Sequence, residues 1–151
     1  MQIHKKERKI DFMALRGLAK LKPAIQIDTR IFQYWKLVVI NCSEYYAYVN
    51  GERDSSKALG VKVQCVIMQD DFPYTGNTGA NANEFEKISF KIPGETRLDL
   101  FQHRQRVVPY NFSKVVLYGD YQNELSIECQ LADYDVYMKS QAKKESAHVK
   151  A

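Results

Sequence analysis

The stretch Phe32–Asn50, FQYWKLVVINCSEYYAYVN, leaves the chain little choice but an extended conformation. It holds the single tryptophan, Trp35, and four of the ten tyrosines. Aromatic and β-branched side chains lose rotamer freedom in a helix and fit a pleated, half-buried surface. The stretch ends in Asn50-Gly51, the dipeptide that most readily supplies two positive φ angles to a tight hairpin turn. It therefore reads as a long first strand that turns back into a second. A strand of this length bends or bulges near its middle, and Asn41-Cys42-Ser43 is the expected place. Tyr34, Tyr46 and Tyr48 share one parity; Trp35 and Tyr45 share the other if the strand is unbroken.

The rest of the chain supplies partners. After a polar loop, ERDSSK, residues 58–69 alternate, with Val61, Val63, Cys65 and Ile67 set to face inward. DDFPYTGNTGANANE reads as a long loop, rich in turn formers. Phe85–Ile92 forms a third strand with Ile88, Phe90 and Ile92 inside, ended by Pro93-Gly94. Residues 95–104 read as a short helix or turn. Val107–Tyr118 forms a fourth strand, with Pro109 and Asn111 marking an edge or bulge. Glu124–Leu131 forms a fifth, with Leu125, Ile127, Cys129 and Leu131 inside. The fold expected is mainly β: a small antiparallel OB-like or SSB-like barrel with a short helix between strands 3 and 4. A plain β-sandwich or another small barrel is the alternative. The domain reading is a basic N-terminal arm over 1–28 with a short helix at 13–22, the barrel over 29–138, and a disordered basic tail over 139–151.

Charge divides unevenly. The net charge is +4. Residues 1–22 carry seven Lys/Arg against two Asp/Glu, and residues 139–151 four against one, whereas 23–138 carry eleven against fifteen. Electrostatic attraction to nucleic acid thus falls to the tails, notably Lys5, Lys6, Arg8 and Lys9, or to a local cluster on the barrel.

Catalytic signatures are thin. His4, His103 and His148 do not cluster, and the Gly76/Gly79 pair lacks the lysine and helix of a phosphate loop. Cys42, Cys65 and Cys129 read as buried thiols in a cytoplasmic protein. The pairs Asp70-Asp71 and Asp133/Asp135 read as solvated carboxylates. The expectation is no enzyme, no metal and no cofactor. No apolar run approaches the roughly 20 residues that span a bilayer, so no membrane role is expected. What the sequence offers instead is aromatic surface. Tyr34, Trp35, Tyr46, Tyr48 and Tyr74 are candidate stacking residues, at roughly 1–3 kcal/mol per base. Lys62, Lys87 and Lys91, on expected solvent faces, are the leading candidate cations; Lys36, Arg104, Arg106 and Lys114 are further candidates.

From Tyr48 onward the order of short motifs resembles a family. Arg53-Asp54 in a polar turn, Gly60 with Val63 in the following strand, Lys91-Ile92-Pro93-Gly94 closing a later one, and Ala132-Asp133 after the last are similar to the YdcP-like accessory proteins of Gram-positive integrative and conjugative elements. The resemblance covers residues 48–137. It implies an SSB-like fold and a non-enzymatic role in conjugative DNA transfer, as a relaxosome component that binds single- or double-stranded DNA or assists a relaxase. A protein adaptor without direct DNA contact is the alternative. The family carries no catalytic residues over to this chain.

Overall fold

Alternation of side chains across five strands builds the core of the computed structural model, which describes residues 27–119 and 124–149. Lys5, Lys6, Arg8 and Lys9, and the helix expected at 13–22, lie outside the described residues. A 3₁₀ turn, Thr29–Tyr34, leads into β1 (Trp35–Val49), β2 (Glu52–Asp70), β3 (Lys87–Pro93), β4 (Arg106–Tyr118), β5 (Glu124–Asp133) and α1 (Tyr134–Val149). The strands form one sheet in the order β1-β2-β3-β5-β4, closed into a ring by Leu37 opposite Val107 and Val38 opposite Arg106. Every pairing is antiparallel except β3 with β5, which meet in parallel at Lys91 and Glu128.

The inward residues are those the alternation requires. Leu37, Val39, Val61, Val63, Cys65, Ile67, Phe90, Val107, Ile127 and Cys129 are essentially out of water. Each contributes about 1.5–3 kcal/mol of transfer free energy when a side chain of this size is fully buried. Phe32, from the 3₁₀ turn, closes one end of the ring. Its ring stacks on Phe112 at 5.2 Å and meets the edges of Trp35 and Phe90 at 5.3 and 5.8 Å. The three cysteines are free. Burial pushes the Cys65 and Cys129 thiols up to about 12, so both act as small apolar side chains.

Four elements differ from the sequence expectation. Phe32–Tyr34 is 3₁₀ rather than strand, because Asp28 caps the turn by accepting from the Arg30 amide. The polar run 52–57 is not a loop but the start of β2, paired with the end of β1 as a two-stranded ribbon around Asn50 and Gly51, whose φ angles are 53° and 79°. The short helix expected at 95–104 is absent: the segment runs through turns, with Arg104 at φ 70°, and places Leu100 and Phe101 against the core. Of the tail expected to be disordered from residue 139, residues 139–149 lie in α1. Asp133 caps that helix, its Oδ2 accepting from the amides of Asp135 and Val136, and a run of Lys, Ala, Gln and Glu continues it.

The bend foreseen at Asn41–Ser43 is present one residue earlier. The register between β1 and β2 slips between Val39 and Asn41, so Ile40 is a bulge. It exchanges the two faces of the strand from that point on. The irregularity expected near Pro109 and Asn111 is also present, between Tyr110 and Lys114, with Asn111 at φ 49°.

Candidate functional site

One row of side chains crosses the outside of the sheet. Ser43 on β1 is opposite Lys62 on β2, Lys62 opposite Lys91 on β3, Lys91 opposite Glu128 on β5, and Glu128 opposite Lys114 on β4. Their neighbours Val61, Val63, Ile92, Ile127 and Cys129 point inward and are buried, which sets the row on the outer face. Three lysines and one carboxylate leave this row positive on a body whose formal charge is negative. Asn41, Gln64 and Ser89 occupy the next rung of the same face.

On the other side of the row stand Tyr45, Gly60 and Pro93. Tyr45 lies across β2 where Gly60 has no side chain. A Cβ built on Gly60 would sit 2.9 Å from the Tyr45 ring and 2.2 Å from the Ile92 carbonyl oxygen. The Lys91 ammonium is 5.4 Å from the Tyr45 ring centre, within cation–π range. Partial burial, and then the negative charge of Glu128, raise the Tyr45 hydroxyl above its ordinary value, so it remains a neutral hydrogen-bonding group.

Two hairpins rise beside this face. In the β1–β2 ribbon the Arg53 guanidinium lies 4.1 Å from the centre of the Tyr46 ring, and the Tyr46 hydroxyl donates to the Glu44 carboxylate. Tyr48, nearer the turn, is 71% exposed. In the β4–β5 hairpin Val116, Leu117 and Tyr118 are exposed.

The candidate residues from the sequence thus separate into groups. Lys62 and Lys91 are brought directly opposite each other. Lys87, opposite Val66, shares their face four residues along β3. Tyr46 and Tyr48 stand on the ribbon. Tyr34, Trp35 and Tyr74 gather elsewhere, around Asp70. Trp35 is not an open stacking surface: it is 8% exposed, and its Nε1 donates to Asp70 Oδ1 at 2.8 Å. Tyr74 donates its hydroxyl to Asp70 Oδ2 at 2.7 Å, and its ring meets Phe72, which in turn meets Tyr34. The backbone amides of Phe72 and Asn83 also donate to Asp70, at 3.1 and 3.0 Å. Asp70 is therefore not a solvated carboxylate but the fully buried anchor of the loop between β2 and β3. Burial alone would push its carboxyl up. The donors from Tyr74, Asn83, Phe72 and Trp35 outweigh it and hold the group below the ordinary carboxylate range.

Tyr45 and Glu128 complete the face and were not singled out as site residues by residue pattern, whereas Lys114 was a further candidate cation and Gly60 entered through the resemblance. For Tyr45 the Ile40 bulge is the reason: without it Tyr45 shares the buried side with Trp35. Arg106, a further candidate cation, is committed elsewhere, with its guanidinium 3.5 Å from the Tyr134 ring where α1 joins the sheet. Among the described residues no group of three or more His, Cys, Asp or Glu side chains is placed to hold a metal ion, and no helix is long and apolar enough to cross a membrane. No protein-family model, curated protein or solved structure matches the chain.

Proposed function

We propose that this protein is a non-enzymatic nucleic-acid-binding module that holds a single strand across the outer face of β2 and β3, and that it serves as an accessory factor in DNA processing for conjugative transfer. The observation that carries the binding role is the register of Lys62 with Lys91, one rung from Tyr45, which lies over Gly60. Lysines supply phosphate contacts and a tyrosine face supplies sequence-tolerant stacking. The ring order, with β3 and β5 in parallel, suits an OB-like barrel, whose ligands lie on strands 2 and 3 between the first–second and fourth–fifth connections. Here those connections are the Tyr46/Tyr48 ribbon and the hairpin bearing Val116 and Tyr118. The conjugative role rests on the short motifs around Arg53-Asp54, Gly60 and Lys91–Gly94.

The exposed apolar residues Val116, Leu117 and Tyr118 support a second contact, with a protein partner such as a relaxase, at the β4–β5 hairpin. It adds to the strand-binding reading and does not replace it.

Fluorescence anisotropy with a labelled oligothymidylate tests the first reading. Binding is expected at low salt and weakens as salt rises. In Lys62→Gln/Lys91→Gln, the slope of log affinity against log salt becomes shallower by about 1.4, two contacts at ~0.7 each for single strands. No binding at low salt, or an unchanged slope in the double variant, rejects it.

A further inference from the structure

We infer that the trough between α1 and β4 is a second contact site for the same strand, taking one phosphodiester and its base beyond the lysine row. This rests on the reading of the lysine face as a single-strand site and extends it to a place that neither the sequence pattern nor the resemblance marks.

The trough begins where the row ends. The row runs from Lys91 to Glu128 on β5 and Lys114 on β4. Two residues along β5 from Glu128, Gln130 is opposite Tyr110 and its side-chain oxygen accepts from Asn111 at 3.0 Å. The Asn111 bulge separates Tyr110 from Lys114, so β4 passes directly from the last lysine of the row into the floor of the trough. Tyr137 of α1 stands against Tyr110, ring centres 5.7 Å apart and tilted by 40°. The volume is about 430 Å³, in the range of roughly 300–1,000 Å³ typical of small-ligand sites.

The lining specifies the class of ligand. Arg30 from the 3₁₀ turn and Lys144 from α1 face the space, with the amides of Gln33 and Asn111, and no carboxylate lines it. Cations and amide donors without a carboxylate select an anion. Asp28 holds Arg30 through Nε and Nη2, which fixes the guanidinium but offsets part of its charge, so Lys144 supplies the larger share of the attraction. A simple inorganic anion would have no use for the two tyrosine rings beside these groups. A nucleotide unit uses both, its phosphate on the cations and its base against Tyr110 or Tyr137.

Oligothymidylates of about 5 and about 15 nucleotides, lengths near the two ends of the roughly 4–16 nucleotide range of OB modules, separate the two sites. In Arg30→Gln/Lys144→Gln the long oligonucleotide binds more weakly, and its salt slope falls by about 0.7, the share of one phosphodiester. The short one, held on the lysine face, binds as it does to the native protein. A circular dichroism melt confirms that α1 is retained. Equal affinity and slope for the long oligonucleotide in both proteins overturns the trough as a contact site while leaving the lysine face standing. Loss of short-oligonucleotide binding in this variant also overturns it, because the effect is then not local to the trough. If neither oligonucleotide binds the native protein, both readings fail together.

Discussion

Asp70→Ala is expected to lower the folding free energy by about 3–5 kcal/mol, a large share of the stability of a domain this size. The carboxylate accepts from the Trp35 indole, the Tyr74 hydroxyl and the amides of Phe72 and Asn83, all between 2.7 and 3.1 Å. Removing it strands these donors, at ~1–3 kcal/mol for each that stays buried and unpaired. Water entering the vacated space satisfies some of them, which keeps the total below the simple sum. Trp35 is the single tryptophan, so its emission during denaturant unfolding reports the change directly. A loss under ~1 kcal/mol would show that the loop does not depend on this carboxylate.

The same group sets an acid limit. Its folded pKa is lowered relative to the unfolded chain. Its contribution is therefore fully present above the ordinary carboxylate value of about 4 and is lost as pH falls through the depressed folded value. Asp70→Asn removes that part of the acid sensitivity. It keeps one acceptor and loses less stability than Asp70→Ala.

Gly60→Ala is expected to cost about 1–3 kcal/mol in stability and to weaken single-strand binding as well. The new methyl group meets the Ile92 carbonyl oxygen at 2.2 Å and the Tyr45 ring at 2.9 Å. The first clash involves backbone and cannot be relieved by a rotamer change. Relief requires β2 and β3 to separate where Gly60 faces Pro93, beside the 2.9 Å bond from the Gly94 amide to the Leu59 carbonyl. The second clash lifts Tyr45 from its place beside Lys91. Gly79→Ala is the control: nothing stands within 4 Å of the added methyl, and no change in melting temperature or affinity is expected. If Gly60→Ala melts and binds like the native protein, Tyr45 is not positioned by this contact.

These two residues also mark the boundary of what the sequence discloses. Local alternation places Val61, Val63, Cys65, Ile67, Ile88, Phe90, Ile92, Ile127 and Cys129 inside, because a period of two is a property of neighbours along the chain. The Asn50-Gly51 turn and the irregularity at Asn111 are equally local. The Ile40 bulge is not: it depends on how β1 meets β2, and it reverses the side on which Tyr45 emerges. Asp70 resembles any carboxylate beside a turn until Trp35, thirty-five residues earlier, is brought to it. The run 52–57 carries no apolar alternation and is strand only because the end of β1 lies beside it. Helix α1 carries no apolar stripe either; its cap and composition hold it, and those signals are weaker than periodicity. Lys62 and Lys91 were legible as exposed cations. Their direct opposition, and the place of Glu128 between Lys91 and Lys114, belong to the pairing of strands far apart in the chain.

The most direct measurement is an amide chemical-shift map of the labelled protein titrated with a short oligothymidylate. The lysine-face reading predicts shifts that track occupancy at Tyr45, Lys62, Gln64, Ser89 and Lys91, with the amides around Asp70 and Trp35 unmoved. A titration that leaves β2 and β3 unchanged, or that perturbs only the loop anchored on Asp70, contradicts it.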